Sequence, residues 1–147
     1  MTVFISKNLW FFSLWTMLAS LPAAADSPDD ILIFVNNKTA TNSLTTEEVK
    51  QIFLKKRSSW PTGGNIVCIN AKAGTALRQD FRKKVLAMSP TDERRYWETQ
   101  KIKGGQKEPP SFSNLVKAVF KVPKSISYGY RKGVSPGVVK IVATITK

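Results

Sequence analysis

Apolar residues cluster along the chain in short blocks that predict β-strands, separated by longer amphipathic segments that predict helices. The run 31–35, Ile-Leu-Ile-Phe-Val, is continuously apolar and predicts a strand covered on both faces, as in a parallel sheet. Segments 66–69 and 126–130 predict two further short strands, and 138–145 predicts a final one. Turn-forming glycine, proline or asparagine residues flank these blocks, so we expect four separate strands.

Two helices are predicted in the first half of the chain. Thr45-Thr46-Glu47-Glu48 forms a capping box with Thr45 as N-cap, which predicts a helix from 46 to 54. A second helix opens at Gly74-Thr75 and carries an apolar stripe with cations on its other side. The stripe is Leu77, Phe81, Val85 and Met88, and the cations are Arg78, Arg82, Lys83 and Lys84.

Two more helices are predicted in the second half. Ser89 and Pro90 supply the N-cap and first residue of the third helix, which ends at Gly104-Gly105. The fourth is capped within 111–113 and stops at Pro123. Its expected inward residues are Leu115, Val116, Val119 and Phe120. Strands alternating with helices predict an α/β fold with a mixed, mostly parallel sheet flanked by helices.

The first 25 residues have the order of a secretory signal peptide. Lys7 precedes an apolar run at 9–19, and Pro22-Ala23-Ala24-Ala25 follows, with cleavage expected after Ala25. The apolar run is shorter than the ~20 residues that a bilayer requires, which disfavours a retained anchor. We therefore expect an exported, periplasmic protein with one domain at 26–147.

The chain is strongly basic. It carries 23 lysines and arginines against 10 acids, a formal net charge of +13, and only Lys7 of these charges lies in the predicted signal peptide. Such an excess attracts anionic partners whatever the fold. Trp60, Tyr96 and Trp97 could stack on bases, but export argues against nucleic acid. Contact with an anionic polymer or membrane surface stays open.

Several kinds of chemistry are missing from the sequence. There is no histidine, which removes the usual general base near neutral pH and imidazole metal ligands, and no Walker A or G-x-S-x-G motif occurs. Cys68 is the only cysteine, and its apolar setting at 66–69 predicts a buried strand thiol. The pattern indicates a binding protein, with no enzyme activity, metal or cofactor predicted.

The segment 70–78 is the strongest candidate for a binding site, because it carries a predicted strand through a small-residue turn into a helix. Free amides at a helix N-terminus attract an oxyanion, Gly74 allows close approach, and Thr75 adds a hydroxyl. The alternative is that Thr75 only caps the helix and Gly74 only makes the turn. The candidate anion-binding residues are Lys72, Ala73, Gly74, Thr75, Ala76 and Arg78.

Motifs in order along residues 31–145 resemble a known family, the PstS-like phosphate-binding proteins of ABC transporters, in short single-lobe form. Matching segments are Gln51-Ile52-Phe53-Leu54 with Trp60-Pro61 and Gly64, Gly74-Thr75-x-x-Arg78-x-x-Phe81 with Val85-Leu86, Ser89-Pro90 with Trp97, Gly104-Gly105, Pro109-Pro110, and Ile126-Ser127-Tyr128-Gly129-Tyr130. The resemblance implies a type II periplasmic binding architecture. It also implies phosphate as ligand and a membrane transporter or sensor as partner.

This chain departs from the family pattern in two ways. Its length provides about one lobe, whereas full-length relatives hold phosphate between two. The family's Gly-Ser-Gly-Thr loop is Lys72-Ala73-Gly74-Thr75 here, so the serine hydroxyl is missing. A half-site with one donor fewer predicts weaker binding than a closing clamp gives. A basic interaction protein without a small ligand, or a purely structural role, are the alternatives.

Overall fold

A four-stranded mixed sheet forms the centre of the fold. The computed structural model describes residues 25–147, so the predicted signal peptide, apart from Ala25, lies outside the described residues. The sheet order is β2-β5-β1-β6, and β3 and β4 form a separate two-stranded sheet. The strands are β1 (Ile31–Val35), β2 (Val67–Cys68), β3 (Asn70–Ala71), β4 (Ser111–Phe112), β5 (Ser125–Tyr130) and β6 (Lys140–Ile145).

Residues 25–147 contain four α-helices. They are α1 (Thr46–Phe53), α2 (Ala76–Phe81), α3 (Pro90–Gly104) and α4 (Leu115–Lys121), and α2 continues into a π-helical turn, Arg82–Leu86. The capping box at Thr45 and the Ser89 cap with Pro90 at the start of α3 are confirmed. Gly105 ends α3 in a left-handed conformation with φ of 68°. No helix within 25–147 is both long and apolar enough to cross a bilayer.

The central strand β1 is buried along its whole length, as its apolar run predicts. The sheet is mixed, as expected, but it is not mostly parallel: β1 pairs antiparallel with both β5 and β6, while only the two-residue β2 pairs parallel with β5. Burial on both faces requires an apolar sequence whichever way the neighbouring strands run. The pattern of β1 therefore identified a central strand without fixing the direction of its partners.

Two side chains lie on faces opposite to those predicted. Phe120 was expected to face inward, but its side chain is 58% exposed, and only Leu115 and Val119 of α4 are buried. Arg78 was expected on the solvent side of α2, but it is 3% exposed. In both cases the spacing is compatible with either face, and the neighbouring elements decide which one is covered.

Cys68 is buried in β2, which confirms the sequence prediction. Burial raises the pKa of its thiol to about 12. At pH 8 the reactive thiolate is then roughly 10⁻⁴ of the population. We expect a disulfide reagent such as DTNB to leave the folded protein unlabelled at pH 8 and to label one thiol after guanidinium unfolding. Rapid labelling without denaturant would contradict the buried position.

Candidate anion-binding turn

The turn at residues 72–75 is held at both ends by buried groups. At its entrance, β3 pairs parallel with β4, and the Asn70 amide donates to the Pro110 carbonyl at 2.8 Å. The buried Tyr128 hydroxyl accepts from the Ala71 amide and donates to the Asn70 side chain, each at 3.2 Å. The backbone that leads into the turn is thus fixed to the central sheet through β5.

An aromatic cluster holds Tyr128 in place. Its ring stacks on Phe81 of α2 with 3.7 Å between centroids and 4° between planes, and Phe53 packs on both rings edge-on. Phe81 and Tyr128 are each fully buried. Because Phe81 belongs to α2, the cluster sets the position of the helix whose first residues follow the turn.

The turn itself is open to solvent. Lys72, Ala73, Gly74, Thr75 and Ala76 are all exposed. Gly74 has φ of +84°, which glycine adopts without strain, and no atom lies within 4 Å of where a Cβ would stand. A small ligand can therefore reach the backbone here.

Thr75 is the N-cap of α2. Its hydroxyl accepts from the Arg78 amide at 3.3 Å and donates to the Lys72 carbonyl at 2.8 Å. The Thr75 hydroxyl therefore caps the helix, which is the alternative interpretation that the sequence left open. The amides of Ala76 and Leu77 have no hydrogen-bond partner among residues 25–147, so two donors at the start of α2 stay available.

Arg78 lies in a buried ion-pair network. Its guanidinium contacts the carboxylates of Glu93 and Glu108 and donates to the Tyr128 hydroxyl at 3.4 Å. Glu93 also pairs with Arg82 at 3.3 Å. The charge of Arg78 is thus balanced by acids that sequence analysis did not connect with it. Glu93 had an adequate explanation in the helix dipole, and no sequence signal linked Glu108 to Arg78.

Lys72 is the charged side chain that remains at the turn. It has no ion-pair partner within the described chain. A hollow of about 270 Å³ lies beside it, lined by Lys72, Thr75 and Leu77 and, from the start of α4, by Ser113 and Leu115. The structure thus brings together Lys72, the exposed turn and two unpartnered amides, whereas the Arg78 guanidinium is already paired with Glu93 and Glu108.

Several solved structures share this fold over part of their length. A structure from Clostridium perfringens, described as a phosphate ABC transporter substrate-binding protein with bound phosphate, superposes with a TM-score of 0.59, 17% identity and 78% coverage of this chain. An ABC-type phosphate transport receptor from Vibrio cholerae and PstS from Borrelia burgdorferi also give 0.59 and 78% coverage, at 14% and 12% identity.

The chain spans 45%, 46% and 47% of the lengths of these three structures, in the same order. At these identities the likeness shows the fold alone. Neither a family model nor a curated protein sequence matches the chain.

Proposed function

We propose that this chain is an exported solute-binding module, residues 26–147, that binds phosphate or a similar oxyanion at the turn before α2. It acts by binding and not by catalysis, in the periplasm, and hands the bound anion or its signal to a membrane transporter or sensor. Support for the ligand class comes from the phosphate named for the Clostridium perfringens structure and from the phosphate transport named for the Vibrio cholerae one.

One observation carries the proposal: the Ala76 and Leu77 amides are unpartnered beside Lys72 on an exposed turn. Amides at a helix start carry partial positive charge, and an anion can accept hydrogen bonds from them without displacing any protein group. The basic surface adds a long-range attraction for anions. With few donors and no enclosing wall, the expected affinity is moderate.

Replacing Ala76 by proline removes one donor and keeps the helix. Ala76 is the first residue of α2, where proline is favoured, and the preceding Thr75 already has the extended conformation, ψ of 149°, that proline requires. A hydrogen bond to a charged group contributes about 1.5–3 kcal/mol, so we expect Ala76→Pro to weaken phosphate binding about ten- to a hundredfold. Titration calorimetry with phosphate and sulfate measures this.

Thr46→Pro is the matched control, because Thr46 is the first residue of α1 after an extended N-cap, Thr45 with ψ of 160°. It should leave phosphate affinity unchanged. Two results would contradict binding at the turn and favour a non-specific basic surface. One is equal weakening of phosphate binding by both variants; the other is a binding heat that disappears with added salt but is the same in Ala76→Pro as in wild type. Thr75→Ala is a poorer test, since it also removes the helix cap.

A further inference from the structure

A second cavity, of about 570 Å³, is lined in part by Arg78 and by Ala73 of the turn, and we refer to it as the Trp97 cavity. Its walls include Arg78 from α2, Arg82 from the π-helical turn, Trp97 from α3, and Glu108 from the connection that follows α3. Its volume is within the range of small-molecule sites. Its apolar wall is formed by Pro90 and Trp97.

The two carboxylates on Arg78 differ in how firmly they are held. The Glu93 side chain is 8% exposed and has a second partner in Arg82. The Glu108 side chain is 50% exposed and has Arg78 as its only ion-pair partner within the described chain. Glu108 follows the left-handed Gly105 in a stretch, 105–108, whose residues are all exposed. Glu108 can therefore leave Arg78 without disturbing the core, whereas Glu93 cannot.

Trp97 supplies the largest apolar side chain of the cavity wall, and the residue is 8% exposed. A cavity with an indole ring and an arginine held by a half-exposed carboxylate in its walls is suited to a carboxylate with an apolar body.

We propose that the Trp97 cavity binds a small organic monocarboxylate whose carboxylate replaces that of Glu108 on Arg78. The ligand's apolar body packs against Trp97 and Pro90. A ligand carboxylate can accept from Nη2 of Arg78, the nitrogen that the Glu108 carboxylate now contacts. Cations outnumber acids among the charged lining residues, because Arg94, Lys101 and Lys107 join Arg78 and Arg82, so the walls attract an anion. The choice of a carboxylate follows from Glu108, whose own carboxylate contacts Arg78. This site goes beyond the oxyanion turn: it adjoins the turn at Ala73 but uses neither Lys72 nor the Ala76 and Leu77 amides.

Glu108 then acts as an internal competitor, since the apparent affinity falls by the fraction of molecules in which Arg78 is free. Glu108→Gln removes the competing charge and keeps the side-chain size. Glu98→Gln is the matched control: it changes the net charge equally, and Glu98 lines the same cavity without an ion pair to Arg78 or to any other described residue.

The experiment titrates benzoate into the purified protein and follows calorimetric heat together with the Trp97 indole ¹H–¹⁵N resonance, assigned with Trp97→Phe. We expect Glu108→Gln to bind benzoate at least tenfold more tightly than wild type, Glu98→Gln to stay within threefold, and the Trp97 resonance to shift along the same curve. Acetate, which lacks the apolar body, should bind at least tenfold more weakly than benzoate.

Equal effects of Glu108→Gln and Glu98→Gln, or an unmoved Trp97 resonance, would overturn the proposal. The two proposed sites fail separately: Ala76→Pro should weaken phosphate binding and leave benzoate binding unchanged, whereas Glu108→Gln should tighten benzoate binding and leave phosphate binding unchanged. Phosphate that competes with benzoate in Glu108→Gln would mean a general anion site and overturn the monocarboxylate assignment.

Discussion

Replacing Arg78 by alanine should lower the free energy of unfolding by about 3–5 kcal/mol, because it breaks a buried ion-pair network by removing one partner. Glu93, 6% exposed, would keep only Arg82, and the Tyr128 hydroxyl would lose the guanidinium. The buried Glu93 carboxylate would then keep its desolvation cost but only one of its two cationic partners. Urea unfolding followed by circular dichroism measures the change.

Arg95→Ala is the control for this prediction. Arg95 pairs with Asp92 at 3.8 Å, but its side chain is 74% exposed, and water already screens the pair. Its unfolding midpoint should match that of wild type. Similar midpoints for Arg78→Ala and Arg95→Ala would mean that the network around Arg78 does not contribute to stability in the way its burial indicates. Because Arg78→Ala affects folding, it is unsuitable as a test of either binding site.

Phe81→Ala should cost about 3–5 kcal/mol of unfolding free energy, the second large effect expected. The substitution deletes a fully buried ring and leaves a cavity between Phe53 and Tyr128. Stacked and edge-on aromatic pairs add about 0.5–1.5 kcal/mol beyond the buried area. Thermal or urea unfolding gives the value.

Phe120→Ala removes the same side chain from an exposed position, where it is 58% accessible, and should change stability by no more than about 0.5 kcal/mol. A large loss of stability in Phe120→Ala, together with a small loss in Phe81→Ala, would contradict the assignment of Phe81 as buried and Phe120 as exposed. The comparison also tests the one residue of α4 whose orientation the sequence pattern predicted wrongly.

The two proposed sites divide the role that sequence analysis gave to one group of residues. Lys72, Ala73, Gly74, Thr75, Ala76 and Arg78 were expected to act together on one anion. The structure keeps Lys72 and the amides on the open turn and directs the Arg78 side chain to Glu93 and Glu108. An oxyanion at the turn and a carboxylate in the Trp97 cavity are therefore separate hypotheses with separate tests.

Local signals were enough to predict much of the fold. The capping box at Thr45, the Ser89-Pro90 start and Gly104-Gly105 end of α3, and the apolar run of β1 depend on neighbouring residues alone. They were predicted because caps, turns and periodicity are encoded within a few positions. The buried thiol of Cys68 follows from the same local pattern.

Only the tertiary structure decided the direction of the strands beside β1, the exposure of Phe120 and the partners of Arg78. Each depends on residues far apart in the sequence: Glu93 and Glu108 lie 15 and 30 positions from Arg78, and Tyr128 lies 50. A helix start predicts free amides from its own sequence. Whether a charged side chain near it points to solvent or to a buried acid is set by what packs against it, and the sequence pattern alone does not contain that information.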